Sequence, residues 1–290
     1  MTVSSAADRW LDDCRARKLK PQTLKKYVHL CRELEMVWGE RLVSSVRMDD
    51  VRKWRESWKL SALTEQKRLE LVRAFFSFCE VSGWIQRNPA KGIKLPSPHH
   101  RPTMPFSEGE WADITTAIDV YARVHEQVPQ SSIAQLRALL LLLRYSGLRI
   151  SDAVSLERNR INDGKLFLYQ AKTGHPVMIP LQGNVLEALG KVPETGRFYF
   201  WSGEGKLKSR LTDWQARLKT VFQLAGIHDG HAHRLRDTFS VDLLSRGVPL
   251  QTVSILLGHR SLRVTEQSYA PWVRQRQDAL EAAVKMSWDA

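Results

Sequence analysis

Residues 231–272 read HAHRLRDTFSVDLLSRGVPLQTVSILLGHRSLRVTEQSYAPW, and this stretch decides how the rest of the chain is interpreted. Apolar spacing and the glycine and proline positions predict helices over 233–245, 250–257 and 263–269. His233 and Arg236 are three residues apart, so they share one face of the first helix. An arginine fork can bind two phosphate oxygens and a histidine can move a proton near neutral pH, so this pair suits a phosphate ester. Alone, it also fits a surface histidine and a helix-capping arginine.

Two further elements follow in the same stretch. In Leu257-Gly258-His259 the glycine ends a helix, which fixes an imidazole at the helix C-terminus. Tyr269 comes ten residues later and is followed by Ala270-Pro271-Trp272. In isolation such a tyrosine can be a packing residue.

Upstream, Tyr145-Ser146-Gly147-Leu148-Arg149-Ile150-Ser151-Asp152 places an arginine directly after a glycine break, where a new helix begins. A helix N-terminus favours anions. Asp152 is three residues further on and could hold Arg149 in place. Lys172 begins the turn Lys172-Thr173-Gly174 of a predicted hairpin, from which it could either reach a bound DNA backbone or remain a solvated turn lysine.

In this order and spacing, the elements resemble the tyrosine recombinase (phage integrase) family, in its two-domain, Xer-like form. The resemblance spans about residues 145–272. It covers Gly-Leu-Arg at 147–149 followed by Ile-Ser-Asp, Lys172 on a hairpin, His233-x-x-Arg236, Leu-Gly-His at 257–259 and Tyr269. One departure is Asp237, where many relatives carry another histidine. That position is not catalytic in the family, so little consequence is expected.

The resemblance implies a metal-independent strand transferase with six catalytic residues: Arg149, Lys172, His233, Arg236, His259 and Tyr269. Tyr269 would attack the scissile phosphate, forming a 3′-phosphotyrosyl link and releasing a 5′-hydroxyl. The two arginines and His259 would stabilise the charge on the phosphate oxygens. Lys172 would protonate the leaving oxygen, and His233 would help to deprotonate the tyrosine. No metal and no cofactor is implied.

The fold expected is mainly α with a small β-sheet. Residues 1–95 are predicted to form a four-helix core-binding, DNA-binding domain, with helices at 5–16, from Pro21, from about Asp49, and over 62–81. A proline-rich linker is predicted at 96–105. Residues 106–290 are predicted to form an α+β catalytic domain that opens with a Ser107–Glu110 capping box. This domain ends in a tail helix with apolar residues Leu280, Ala283, Val284 and Met286.

The composition supports a polyanionic partner. The formal net charge is +13, and residues 1–104 hold 21 basic and 12 acidic side chains. Cys14, Cys31 and Cys79 are expected to be buried reduced thiols, with neither a disulfide framework nor a zinc site. No secretory signal or membrane span is recognised, so cytoplasmic, nucleoid-associated residence is expected. The resemblance implies double-stranded DNA as partner and a homotetramer on two DNA sites, from a chain that is a monomer free in solution.

Several alternatives remain open at this point. A helical DNA-binding regulator could use the same residues only to contact phosphates, and a type IB topoisomerase uses similar chemistry without pairing two sites. A metal-dependent nuclease could use His231, His233 and His259, but no carboxylate or cysteine cluster accompanies them. A P-loop at 203–206 is excluded, because Leu207 stands where the motif requires Ser or Thr. Integration or excision of a mobile element is not separated from chromosome-dimer resolution, although Tyr-Ala-Pro-Trp favours the mobile element.

Overall fold

The computed structural model describes residues 1–95, 103–259, 261–269, 272 and 274–288. The chain divides into two compact units, Met1–His100 and Arg101–Ala290. Helices dominate both units, and the strands of the described residues all lie in the second unit. The predicted fold class, mainly α with a small sheet, is confirmed. Most of the predicted linker, residues 96–102, lies outside the described residues.

The first unit is built from four helices, as its apolar spacing predicts. They are α1 (Val3–Ala16), α2 (Pro21–Trp38), α3 (Met48–Glu56) and α4 (Ala62–Val81), with a 3₁₀ turn at Val43–Ser45. Pro21 occupies the first turn of α2, where its missing N–H costs no helical hydrogen bond. Trp10, Leu34, Phe75 and Phe76 are among the buried side chains that join the helices into one core.

The three cysteines of the first unit are unpaired and buried, as predicted. Burial raises the pKa of the Cys14 thiol, and it raises the pKa of Cys31 and of Cys79 to about 12. These side chains therefore remain neutral thiols that pack as small apolar groups.

Four helices of the second unit pack around a large apolar core. Three precede the sheet, α5 (Glu108–Val124), α6 (Gln130–Ser146) and α7 (Ile150–Val154), and α8 (Gly183–Gly190) follows it. The predicted capping box opens α5. The Ser107 hydroxyl accepts the Glu110 N–H at 3.1 Å, and the Glu110 carboxylate accepts the Ser107 N–H at 2.8 Å. Helix α6 carries buried leucines on most of its turns, because it is surrounded by other helices.

The sheet has three antiparallel strands in the order β1 (Ile161–Asn162), β2 (Lys165–Tyr169) and β3 (Pro176–Pro180). Leu166 pairs with Ile179 and Leu168 with Val177, and all four side chains are buried on the core face. β3 is an edge strand, which explains why prolines are tolerated at both of its ends. The β2–β3 turn carries Lys172, as predicted.

The remaining helices are α9 (Leu207–Leu224), α10 (Ala232–Ser245), α11 (Leu250–Leu256), α12 (Leu262–Tyr269) and α13 (Arg274–Trp288). Most side chains of α10 are buried, whereas Val284 and Met286 of α13 are exposed. Helix α13 lies in the tail, so the prediction of a helical tail is confirmed. The side chains of Leu280 and Ala283 lie outside the described residues. Within the described parts of the chain, no helix is both long and apolar enough to span a membrane.

Candidate active site

Arg149 is placed by a sharp break between two helices. α6 ends at Gly147, whose φ of +62° is favourable for glycine alone, and an added Cβ there would collide with the Phe239 ring. Arg149 then caps α7 with an extended backbone, φ −68° and ψ 144°. The break therefore turns the guanidinium away from the α6 axis and brings it to the hairpin turn after β2.

Gln170 connects Arg149 to the turn that carries His259. Arg149 donates to Gln170 Oε1, and Gln170 Nε2 donates to the carbonyl of Leu257 at 2.7 Å. The Thr173 hydroxyl donates to the same Gln170 oxygen at 2.9 Å. Gln170 is buried, and a Cβ added at Gly258 would lie 2.6 Å from its amide. No motif in the sequence marks Gln170 as a site residue.

Arg236 is held by backbone carbonyls rather than by carboxylates. Its two terminal nitrogens donate to the Gly147 and Leu257 carbonyls, each at 2.6 Å. Its Nε is buried and has no hydrogen-bond partner among the described residues. Burial and the charge of Arg149 lower the pKa of Arg236 to about 10, so the side chain is still charged at neutral pH. A buried cation without a carboxylate partner is suited to binding an anion.

His259 lies directly after the glycine that ends α11. Gly258 has φ +59°, and the His259 backbone N–H donates to the Ser254 carbonyl at 3.0 Å. His259 Nδ1 is 2.7 Å from the hydroxyl of the buried Thr265. Burial and the charges of Arg236 and Arg149 lower the pKa of His259 to about 4. The ring is therefore neutral at pH 7.

Lys172 and His233 line one pocket together with Arg149. The pocket has a volume of about 510 Å³, and Lys219 and His231 add further basic groups to its wall. Sequence analysis did not connect Lys219 to the site, because it lies within α9, far from the motifs in sequence. This concentration of basic side chains around one opening favours an anionic ligand.

Asp152 does not hold Arg149 as expected. Its Oδ1 accepts the Ala171 N–H at 3.0 Å, and its Oδ2 is buried without a hydrogen-bond partner among the described residues. The Arg149 guanidinium donates to Gln170 rather than to this carboxylate. Asp152 instead fixes the backbone next to Lys172. Burial raises the pKa of its carboxyl, while the Ala171 N–H and the charge of Arg149 lower it.

Tyr269 ends α12 with its side chain buried. Its hydroxyl donates to Asp237 Oδ1 at 2.6 Å, and His233 Nε2 lies 3.9 Å from the same oxygen. Burial raises the pKa of the phenol, the Asp237 carboxylate raises it further, and Ser240 and the charge of Arg236 oppose the increase. The carboxylate of Asp237, the residue at which the sequence departs from the family pattern, therefore contacts the predicted nucleophile.

The electrostatic neighbours of each group show which predicted residues lie together. The charges of Arg236, Arg149 and His233 act on the pKa of His259, and the charge of Arg236 also acts on the pKa of Tyr269. Lys172 shares a pocket wall with Arg149 and His233. The structure thus brings five predicted residues and the tyrosine around one basic centre. Among the described residues, no group of three or more His, Cys, Asp or Glu side chains could hold a metal ion.

Arg234, between the two motif residues, has a different environment. It donates to Glu110 at 2.8 Å, to Asp229 at 3.0 Å and to the Met104 carbonyl at 2.9 Å. Its contacts join the start of the second unit to α10. As its helical position predicts, it points away from His233 and Arg236.

Residues 112–275 match the model of the phage integrase family, which is more than half of the chain and includes every residue of the basic centre. The chain belongs to the phage integrase family. Members of this family with curated names show the same likeness. The chain is 27% identical to the tyrosine recombinase XerC of Bradyrhizobium diazoefficiens, over 91% of this chain and 88% of that protein. It is 28% identical to the tyrosine recombinase XerD of Mycobacterium tuberculosis strain H37Rv, over 71% and 69%.

Solved structures of integrases share the fold. A dimer of a lambda integrase fragment bound to a COC′ core site has a TM-score of 0.75 at 20% identity, covering 92% of this chain and 95% of that chain. The Tn1549 transposon integrase in complex with circular intermediate DNA has a TM-score of 0.69 at 20% identity, covering 93% and 95%. At this level of identity the likeness is one of fold.

Proposed function

We propose that this chain is a site-specific DNA recombinase that breaks and rejoins strands through a covalent bond between Tyr269 and a backbone phosphate. The observation that carries the proposal is the position of the Tyr269 phenol, buried next to the charge of Arg236 and held by a hydrogen bond of 2.6 Å. A nucleophile beside several cations is the arrangement that phosphoryl transfer requires. Membership of the phage integrase family supports the same reaction.

The residues of the basic centre divide the chemistry between them. Arg149 and Arg236 neutralise the charge that develops on the non-bridging oxygens, and the neutral His259 donates a hydrogen bond there. Attack by Tyr269 gives a 3′-phosphotyrosyl link, and Lys172 protonates the departing 5′ oxygen. The diester is conserved as a tyrosyl ester, so rejoining needs no external energy source. The positive side chains supply the charge stabilisation that bound metal ions supply in other phosphoryl-transfer enzymes.

The partner proposed is double-stranded DNA, bound by a homotetramer that pairs two sites. The net charge of +13 supports a polyanionic partner. Lambda integrase has been solved as a tetramer bound to a Holliday junction and the Tn1549 integrase with circular intermediate DNA. We assign DNA binding to residues 1–95 as well, since residues 1–104 hold 21 basic and 12 acidic side chains. A chain that acts on DNA would work in the cytoplasm, at the nucleoid.

Covalent capture tests this function directly. The wild-type chain is incubated with fragmented DNA of the source cell and denatured in detergent, and the DNA that stays attached is sequenced. We expect a small set of sites attached through Tyr269, and the flanks of those sites separate mobile-element integration from chromosome-dimer resolution. Tyr269→Phe should bind the same DNA without forming the adduct.

Two outcomes would replace the proposal. A wild-type chain that binds DNA tightly but never becomes attached would be a DNA-binding regulator. A chain that relaxes any supercoiled plasmid without preference for a site would be a topoisomerase. Activity that persists in EDTA is expected, because no step uses a metal ion.

A further inference from the structure

Asp237 follows Arg236 on α10, and its carboxylate touches the atom that would react. The Tyr269 hydroxyl donates to Asp237 Oδ1 at 2.6 Å, and both side chains are buried, at 4% and 5% exposure. Within the described residues, Asp237 is the partner to which this hydroxyl donates its proton. An oxygen that already accepts a short, buried hydrogen bond from the hydroxyl meets the geometric requirement for a general base.

We propose that Asp237 is a catalytic residue of this chain: it takes the proton of Tyr269 as the phenol oxygen bonds to phosphorus. This inference rests on the proposed recombinase function and makes it more specific. The sequence resemblance assigns the help in deprotonation to His233. In the structure His233 Nε2 is 3.9 Å from Asp237 Oδ1. The imidazole would therefore receive the phenol proton by way of the Asp237 carboxylate.

The step balances without a further reactant. The O–H bond of Tyr269 breaks and its proton forms a bond with Asp237 Oδ1, while the phenol oxygen forms a bond with phosphorus. The bond from phosphorus to the 5′ oxygen breaks, and Lys172 supplies the proton for that leaving oxygen. In the rejoining reaction the neutral Asp237 carboxyl returns its proton to the phenolate, so the same pair serves both directions.

The surroundings explain why the proton must move during the attack. Burial and the carboxylate raise the pKa of Tyr269, so the phenol is protonated while no phosphate is bound. Formation of the bond to phosphorus makes the phenol oxygen far more acidic, and the carboxylate then becomes the better base. In the part of the chain that the structure describes, Arg236, His233 and Ser240 are the other charged or polar groups close to this pair.

The test compares Asp237→Asn with wild type in a single turnover. The probe is a nicked duplex carrying the site obtained by covalent capture, and the measurement is the rate of adduct formation between pH 5.5 and 9.5. Asparagine keeps the size and an acceptor oxygen but cannot take a proton. We expect adduct formation to be about 100-fold slower at pH 7 and to rise with pH, whereas the wild-type rate is flat from neutral pH upward.

A control and a rescue separate catalysis from folding. Asp242→Asn changes another carboxylate of α10, which pairs with Arg144, and it should leave the rate within about threefold. A fluorinated tyrosine at position 269 has a more acidic phenol and should restore much of the rate of Asp237→Asn while changing the wild type little. If Asp237→Asn does not fold, Asp237→His keeps a proton acceptor, and its rate should follow a titration near pH 6.5.

The outcomes distinguish this inference from the function on which it rests. A wild-type chain that forms no adduct overturns both. A wild-type chain that forms the adduct, with Asp237→Asn equally fast, overturns the assignment of Asp237 alone. Faster attachment by Asp237→Asn also overturns it, because the carboxylate would then only restrain the tyrosine.

Discussion

The two arginines of the basic centre and the tyrosine next to them are held in different ways. Arg236 is fixed by the carbonyls of Gly147 and Leu257, and Arg149 is fixed by Gln170. Tyr269 is held by another side chain, the Asp237 carboxylate, and it packs in a small cluster separate from the large core. The cations are therefore organised before a phosphate arrives, while the nucleophile depends on a contact that its own reaction must change.

This difference follows from the physics of each task. A guanidinium that stabilises a developing charge contributes most when it need not reorganise. Arg236 is attached to backbone carbonyls directly, and Arg149 is attached through Gln170, which itself donates to the Leu257 carbonyl. A phenol must exchange one partner for another during the reaction. A single hydrogen bond to a charged side chain contributes about 1.5–3 kcal/mol net, which permits that exchange. Substitutions that alter each kind of attachment in turn test this difference.

The largest effect is expected for Arg236→Lys. A lysine cannot reach two carbonyls and a phosphate together, so adduct formation should fall by about 1,000-fold or more. The rate is measured with the nicked duplex, and binding of that duplex is measured separately. Arg234→Lys is the matched control on the same helix: it loses the contacts to Glu110 and Asp229 and should lower stability while adduct formation continues. A rate for Arg236→Lys within tenfold of wild type would contradict the prearranged cation.

The next effect concerns stability at Gly258. Its φ is +59° and an added Cβ would lie 2.6 Å from the Gln170 amide, so Gly258→Ala should lower the free energy of unfolding by about 2–4 kcal/mol. Gly226→Ala is the control, because Gly226 has φ +75° with open space around it. The control should lose about 1 kcal/mol, the cost of the left-handed backbone alone. Equal losses in urea unfolding would show that the Gln170 contact does not constrain the turn.

A smaller effect is expected when Gln170, which connects Arg149 to the Leu257 carbonyl, is replaced. Gln170→Leu keeps a side chain of similar size but ends the hydrogen bonds to Arg149 and to the Leu257 carbonyl. Adduct formation should fall by about 10-fold to 30-fold, as for groups that orient a catalytic side chain. Thr173→Val removes a single donor to Gln170 and should cost threefold or less. A larger loss from Thr173→Val would show that the hairpin turn, rather than Gln170, positions Arg149.

The smallest effect is a pH dependence of stability from His259. Its pKa is about 4 in the folded chain and about 6.5 when unfolded, so the unfolded chain takes up a proton first as pH falls. The free energy of unfolding should therefore decrease between pH 6.5 and pH 4, by about 1–2 kcal/mol for this partly solvated group. His259→Gln should reduce that slope in urea unfolding followed across this range. An unchanged slope would show that burial and the arginines do not lower the pKa of this ring.

Much of the architecture could be predicted from local patterns. The helices follow the spacing of apolar residues, and the Ser107–Glu110 capping box appears in the structure as the sequence indicates. Gly147 and Gly258 both have the left-handed backbone that a glycine after a helix predicts. These features depend on residues that are near one another in sequence, which is why patterns reveal them.

The connections inside the site were harder to predict. Gln170 and Leu257 are 87 residues apart, and no local pattern indicates that they meet. The described residues show no hydrogen bond between Asp152 and Arg149, because Arg149 donates to Gln170 and Asp152 accepts from Ala171. Asp237 was within reach of sequence reasoning, since it lies four residues after His233 and so on the same helix face. Its departure from the family pattern was a signal, and it was read as neutral.

Because the thiols of the first unit are buried, α12, the helix that ends at Tyr269, can be labelled selectively for spectroscopy. All three cysteines of the chain are buried, so maleimide dyes should leave them unmodified while the protein is folded. A cysteine introduced at the exposed Glu266 on α12 would then be the sole labelled position. Fluorescence from that position would report displacement of the nucleophile's helix when a duplex binds, without first deleting a native residue.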